Sequence, residues 1–196
     1  MTVDEGKMSG GAEDGPPPDG MHIPIPDDHY AAVGRVSDAW ADMEFEIDRL
    51  IWHLLQTNQA LAACLTSQMI SIHPRLQALR ALVSLWELSE PILTELARLD
   101  GEMSALAEKR NRSIHDKRLI RWKTKQVVRF QVSARRKLEF GPQPENISDL
   151  DAFKATIQKL TEKFVVLSQK IKAELLESAE KQRAPLPYII RSTDPI

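Results

Sequence analysis

Two long apolar stripes with helical spacing constrain this chain more than anything else in it. Val33, Val36, Trp40, Met43, Ile47, Leu50 and Leu54 recur at alternating three- and four-residue steps, and Ile51 and Leu55 widen the stripe. Leu150, Phe153, Ile157, Leu160, Phe164, Leu167, Ile171 and Leu175 keep the same rhythm near the other end. Steps of three and four place side chains on one face of a helix, so each run predicts a long helix whose apolar face has to be covered. The second run holds heptad spacing long enough either to pack in a bundle or to join a dimer seam.

Shorter helices fit between them. "TNQALAACLTSQMI" reads as a second helix with Thr57 or Asn58 as its N-cap. "SIHPRLQALRALVSLWELSE" reads as a third, opened by Ser71 or His73 with Pro74 in its first turn. Pro91 starts a fourth, whose stripe is Ile92, Leu96, Leu99, Met103 and Leu106.

After Asp116 the period changes from about 3.6 to about 2. Ile120, Trp122, Thr124, Val128, Phe130 and Val132 fall on one face, and Arg121, Lys123, Lys125 and Arg129 on the other. That pattern predicts a β-hairpin over 118–140 with a basic exposed face, although no Asn-Gly pair marks its turn. "FGPQPENIS" reads as a loop, and Ser148 opens the last helix through "SDLD". The expected fold is all-α, a bundle of about five helices over 28–183 with a small β-hairpin inserted before the last helix.

Residues 1–27, which include "GGAEDGPPPDG", bury too little apolar surface to offset the entropy of ordering and are expected to be a disordered acidic tail. The end from 184 to 196, with two prolines in "APLPYIIRSTDPI", reads as extended. With 196 residues and 42% hydrophobic content, one domain with its own core is the expectation. The start is acidic rather than basic then apolar, so it does not read as a signal peptide. No apolar run approaches the ~18 residues of a membrane span. The lone Cys64 excludes an intramolecular disulfide and, within an apolar helical pattern, is expected to be buried. These features predict a soluble cytoplasmic protein with no membrane partner.

A net charge of −2 would ordinarily argue against nucleic acid, but the average hides an asymmetry. Residues 1–29 hold seven acidic side chains and one lysine. Residues 109–137 hold twelve Lys or Arg against one acid, Asp116. A segment of that density attracts polyanions whatever the global balance.

The basic segment begins where the fourth stripe ends. After Leu106 the next position in its rhythm is Arg110, which directs a guanidinium toward a packed seam. Such placement is costly unless an anion receives the charge. Asn111 and His115 are four apart and neighbours on the adjoining flank, whereas Arg110 and His115 lie about 140° apart around the axis. They frame one cleft only if a second helix, or the same helix of a twofold-related subunit, closes the other side. The competing explanation is local: cations in a last helical turn suit the dipole, and arginine snorkels from the end of an apolar stripe.

"RNRSIH", Arg110 to His115, resembles the R-x4-6-H motif of the HEPN superfamily, with Asn directly after the Arg as in many members. The resemblance covers roughly 28–117 and the last helix, and it fits a motif placed at the end of a long helix in an all-α bundle. It implies a metal-independent endoribonuclease with no cofactor, acting as a homodimer with two motifs in a composite cleft, often in defence or toxin–antitoxin systems with a cognate antitoxin or regulator.

Under that resemblance His115 is the general base or acid at the ribose 2′-hydroxyl and the leaving oxygen. Arg110 stabilises the phosphorane-like transition state, and Asn111 positions the phosphate or the imidazole. RNA supplies its own nucleophile, so the products are a 2′,3′-cyclic phosphate and a 5′-hydroxyl. Some members add an acid from an early helix, for which Glu44, Glu46 and Asp48 are the candidates. Arg112, Lys117, Arg118, Arg121, Lys123, Lys125 and Arg129 are the expected phosphate contacts. Trp122 and Phe130 are expected in packing rather than base stacking. His22, His29, His53 and His73 are scattered and read as surface or capping residues.

Overall fold

The two apolar stripes become the two longest helices. In the computed structural model, which describes residues 23–133 and 139–181, α1 is Asp27–Leu55 and α5 is Ile147–Lys181. Their pairing is the most extensive in the bundle. Trp40, Met43 and Ile47 of α1 and Phe153, Ile157 and Phe164 of α5 enter one core at no more than 2% exposure. Asp27 and Asp28 put negative charge in the first turn of α1, where the helix dipole favours it. Gln56 ends the helix in the left-handed region at φ 48°, with its N–H directed to the His53 carbonyl.

Of the two cap residues open for α2 (Gln59–Thr66), Asn58 does the capping, accepting the Ala60 N–H at 2.9 Å. This short helix buries Ala62 and Thr66, four apart, and turns Cys64 outward. The expected burial of that thiol is therefore incorrect: on so short a helix only one narrow face reaches the bundle. From the first turn of α3 (Ile72–Leu85), Arg75 reaches back to the linker, donating to the Met69 carbonyl at 2.5 Å and the Ser71 carbonyl at 3.2 Å, and pairs with Asp48 of α1 at 2.9 Å. α4, Glu90–His115, has Pro91 in its first turn. Ser89, at its N-cap, gives its N–H and hydroxyl to the Glu174 carboxylate of α5 at 2.5 and 2.7 Å, so an anion sits at the positive end of α4.

Between α4 and α5 lies a three-stranded antiparallel sheet in the order β1 (Lys117–Ile120), β2 (Val127–Ser133), β3 (Glu139–Pro144). Over the described residues the fold is thus a five-helix bundle with a small sheet before the last helix. One point left open for this region is settled and one expectation needs correction. First, the reversal, which the alternation did not place, falls at 121–126: Lys125 takes φ 56° and donates its N–H to the Arg121 carbonyl at 2.8 Å. A lysine in the left-handed region replaces the Asn-Gly that would have marked the turn.

Second, the stretch read as a loop supplies β3, with Pro142 paired to Phe130 and Pro144 to Val128. β3 is an edge strand, where residues without an N–H are tolerated. Helix α5 then starts one residue ahead of Ser148, behind Asn146, whose side-chain amide donates to Asp149 at 3.0 Å.

The expected tail over 1–27 lies outside the described residues up to residue 22; Ile23 to Pro26 precede α1 without regular structure. The extended end expected over 184–196 also lies outside them. No helix among the described residues is long and apolar enough to cross a membrane.

Candidate functional site

The last turns of α4 are wedged between α1 and α5. The Lys109 ammonium sits 4.3 Å from the centroid of Phe153, and the Arg110 guanidinium carbon sits 5.7 Å from the centroid of Trp40. Trp40 is 2% exposed, so Arg110 does reach the seam that the stripe rhythm pointed to. One of its terminal nitrogens donates to the Asn111 side-chain oxygen at 3.1 Å. Its Nε is buried and has no acceptor among the described residues. A buried donor left unsatisfied is destabilising by about 1–3 kcal/mol, and native structures rarely carry one without a reason.

Asn111 and His115 are exposed. His115 is the final residue of α4, and the following Asp116 closes the helix by donating its N–H to the Arg112 carbonyl at 3.2 Å. Among the described residues the imidazole has no hydrogen bond or ion pair. Five residues separate His115 from Arg110, about 7.5 Å along the axis and about 140° around it. One copy of the helix therefore does not bring these two side chains to one face.

The basic residues divide into two groups. Arg118 and Arg129, adjacent across β1 and β2, turn inward and meet Glu145. Arg118 Nε donates to Glu145 Oε2 at 2.7 Å, and its terminal nitrogen donates to the Ser113 carbonyl in the last turn of α4. Arg129 lies 3.6 Å from the same carboxylate and 3.2 Å from Asp116. With side chains only 7% and 18% exposed, these two arginines are committed to protein anions rather than presented to phosphate. Lys117, Lys123 and Lys125 are exposed, Arg121 is half-buried, and Arg112 pairs with Glu108 at 2.7 Å.

His29 completes that network. Its Nε2 lies 2.8 Å from Glu145 Oε2 and the residue is 2% exposed, so it is a core histidine and not the surface or cap residue expected of it. Glu145 thereby joins the start of α1, strands β1 and β2, and the end of α4. Sequence reasoning missed this carboxylate because it sits in an aperiodic stretch, and its partners are distant along the chain. A shallow cleft of about 100 Å³ opens beside it, lined by Lys109, Ser113, Arg129, Glu145, Asp149 and Phe153.

The three early acids are also sorted by their neighbours. Asp48 is bound to Arg75 and Glu46 to Arg49 at 2.8 Å. Burial raises the Asp48 carboxyl above its ordinary range, an effect larger than the opposing pull of Arg75. Glu44 lies one turn beyond Trp40 on α1, the residue that carries Arg110, and is half-buried. His73 lies 3.4 Å from the Ser104 hydroxyl, and His53 is exposed near the end of α1.

No family model, curated protein or solved structure matches this chain.

Proposed function

We propose that this protein is a metal-independent endoribonuclease of HEPN type that works as a dimer, with Arg110, Asn111 and His115 as its active residues. The observation that carries the reading is Arg110: its guanidinium lies on Trp40 with a buried Nε that has no acceptor among the described residues, one residue before an exposed amide and five before an exposed imidazole. A phosphodiester oxygen is an acceptor of the right charge for that donor.

In the proposed reaction His115 takes the proton of the ribose 2′-hydroxyl and the 2′-oxygen attacks phosphorus. The bond to the 5′-oxygen breaks, and that oxygen is protonated as it leaves. Arg110 stabilises the additional negative charge on the phosphoryl oxygens in between. Because Arg110 and His115 diverge around α4, a twofold copy of the helix end is needed to face one against the other. Cytoplasm is the compartment that suits an RNA substrate and a single exposed thiol.

The test is His115→Ala. An exposed side chain without partners among the described residues contributes little to stability, so the variant should melt with the wild type yet lose cleavage of a mixed RNA pool. Loss of folding would move His115 to a structural role. A second reading, a non-catalytic RNA-binding module, is favoured by the absence of any described group orienting the imidazole. It predicts RNA binding that weakens steeply with salt, without strand scission by either protein.

A further inference from the structure

The sheet is turned opposite to expectation. The alternation in 120–132 predicts an apolar face toward the bundle and a basic face toward solvent. Instead Arg118 and Arg129 take the inner face to reach Glu145, and no strand residue belongs to the bundle core. The register places Leu119, Val128, Phe130, Val132 and Phe140 together with Lys117 on the other face. Of these, Phe140 is 69% exposed, Val132 63% and Leu119 43%, whereas Phe130 is half-buried and Val128 is 2% exposed, so the face is most open at its Val132 and Phe140 end. Phe130 and Phe140 meet edge to face with centroids 5.0 Å apart, which holds the Phe140 ring in a defined orientation.

What surrounds the aromatic face decides what it accommodates. Among the described residues, 117–133 contain six Lys or Arg and no Asp or Glu. Two of the six, Arg118 and Arg129, are withdrawn to Glu145. Lys117, cross-strand neighbour of Phe130, and Lys125 in the β1–β2 turn are exposed at the rim. An apolar protein partner would leave these cations without counter-charge. A second copy of the face would set like charges against each other, which disfavours pairing. A polyanion that also carries flat aromatic groups satisfies both halves of the surface.

We infer that the outer face of the three-stranded sheet is a platform for single-stranded RNA, with an unpaired base stacked on Phe140 at one end of the sheet and the phosphate backbone running past Lys117, two rows along, toward Lys125 in the β1–β2 turn. Double-stranded RNA does not fit this surface, because its bases are already stacked and present no faces to the ring. Base stacking on an exposed aromatic is tolerant of sequence, so the platform fixes strandedness and not a particular base. Lys117 lies two residues past His115, about 7 Å of extended chain, so a strand on the platform runs beside the proposed active end of α4. The inference rests on the RNA half of the proposed function and not on the catalytic assignment.

The test uses the full chain carrying His115→Ala, in excess EDTA, with labelled oligouridylate, labelled oligoadenylate and a blunt RNA duplex as probes followed by fluorescence anisotropy. The inference expects both single strands to bind more tightly than the duplex. Phe140→Ala should weaken them about tenfold with an unchanged melting temperature, while Phe140→Trp restores binding and Phe140→Leu does not. Unchanged affinity in Phe140→Ala, no binding of either single strand by the parent, or full rescue by leucine would each overturn it. So would a loss of self-association in Phe140→Ala by sedimentation with RNA affinity intact, which would make the face a contact between copies. Binding without cleavage in the His115-containing protein would refute the nuclease and leave the platform standing.

Discussion

Arg110 lies across Trp40, its guanidinium carbon 5.7 Å from the ring centroid, in the seam between the end of α4 and the middle of α1. The indole face gives the cation some compensation for leaving water, worth about 0.5–2 kcal/mol. It supplies no acceptor for the buried Nε. A position built only for stability would gain from an apolar side chain here.

That argument yields a separation of stability from binding. Arg110→Met should leave the melting temperature unchanged or higher, within about 1 kcal/mol of the parent, because it removes a buried donor without a partner and keeps the packing. The same variant should lose cleavage. Arg110→Lys, which keeps the charge but not the planar fork, should also lose most activity. Marked destabilisation of Arg110→Met would show that the arginine supports the fold.

Glu145 should behave in the opposite way. It is 8% exposed and takes up His29, Arg118 and Arg129 from three separate elements. Glu145→Ala should cost about 3–5 kcal/mol in urea unfolding, since it strands two mostly buried guanidinium groups. Arg118→Met in the same chain should recover part of that loss. Strict additivity of the two changes would contradict a shared network.

The sequence carried the helices clearly because their periodicity is long. α1, α4 and α5 are near where the stripes of Trp40, Leu99 and Phe164 place them, and the rhythm that ends at Leu106 brought Arg110 to its seam. The sheet was legible only in part. Period-2 alternation locates strands but does not say which face turns inward, and here a single distant carboxylate decided it by drawing Arg118 and Arg129 inside. Phe140 and the prolines of β3 could not be recognised as strand residues, because their partners lie on β2 and an edge strand needs no complete set of donors.

The Asp48 and Arg75 pair offers a test of the α2 to α3 connection. Asp48→Asn keeps an acceptor and removes a charge that burial disfavours, so it should cost little above neutral pH. Arg75→Ala deprives the Met69 and Ser71 carbonyls of their donor and leaves Asp48 unpaired; it should cost about 2 kcal/mol in thermal or urea unfolding. Equal costs for the two variants would contradict this division.

His53 gives a pH signature near neutrality. Burial first, and the Lys172 charge second, lower its pKa from the ordinary 6.5. The folded state thus binds its proton less readily than the unfolded chain, so stability rises with pH through the window just below 6.5 and levels off above it. By NMR titration Lys172→Gln should move His53 part of the way back, because burial remains. A value in that variant at or above 6.5 would contradict the ordering of the two causes.

The most direct test of the central claim is the chemistry of the ends left on RNA. The purified protein is incubated with a mixed RNA pool in excess EDTA, and the termini of the fragments are determined for wild type and His115→Ala. The proposed mechanism predicts fragments from the wild type alone, ending in 2′,3′-cyclic phosphate and beginning with 5′-hydroxyl. Fragments ending in 3′-hydroxyl, identical cleavage by His115→Ala, or RNA bound but intact with both proteins would contradict it.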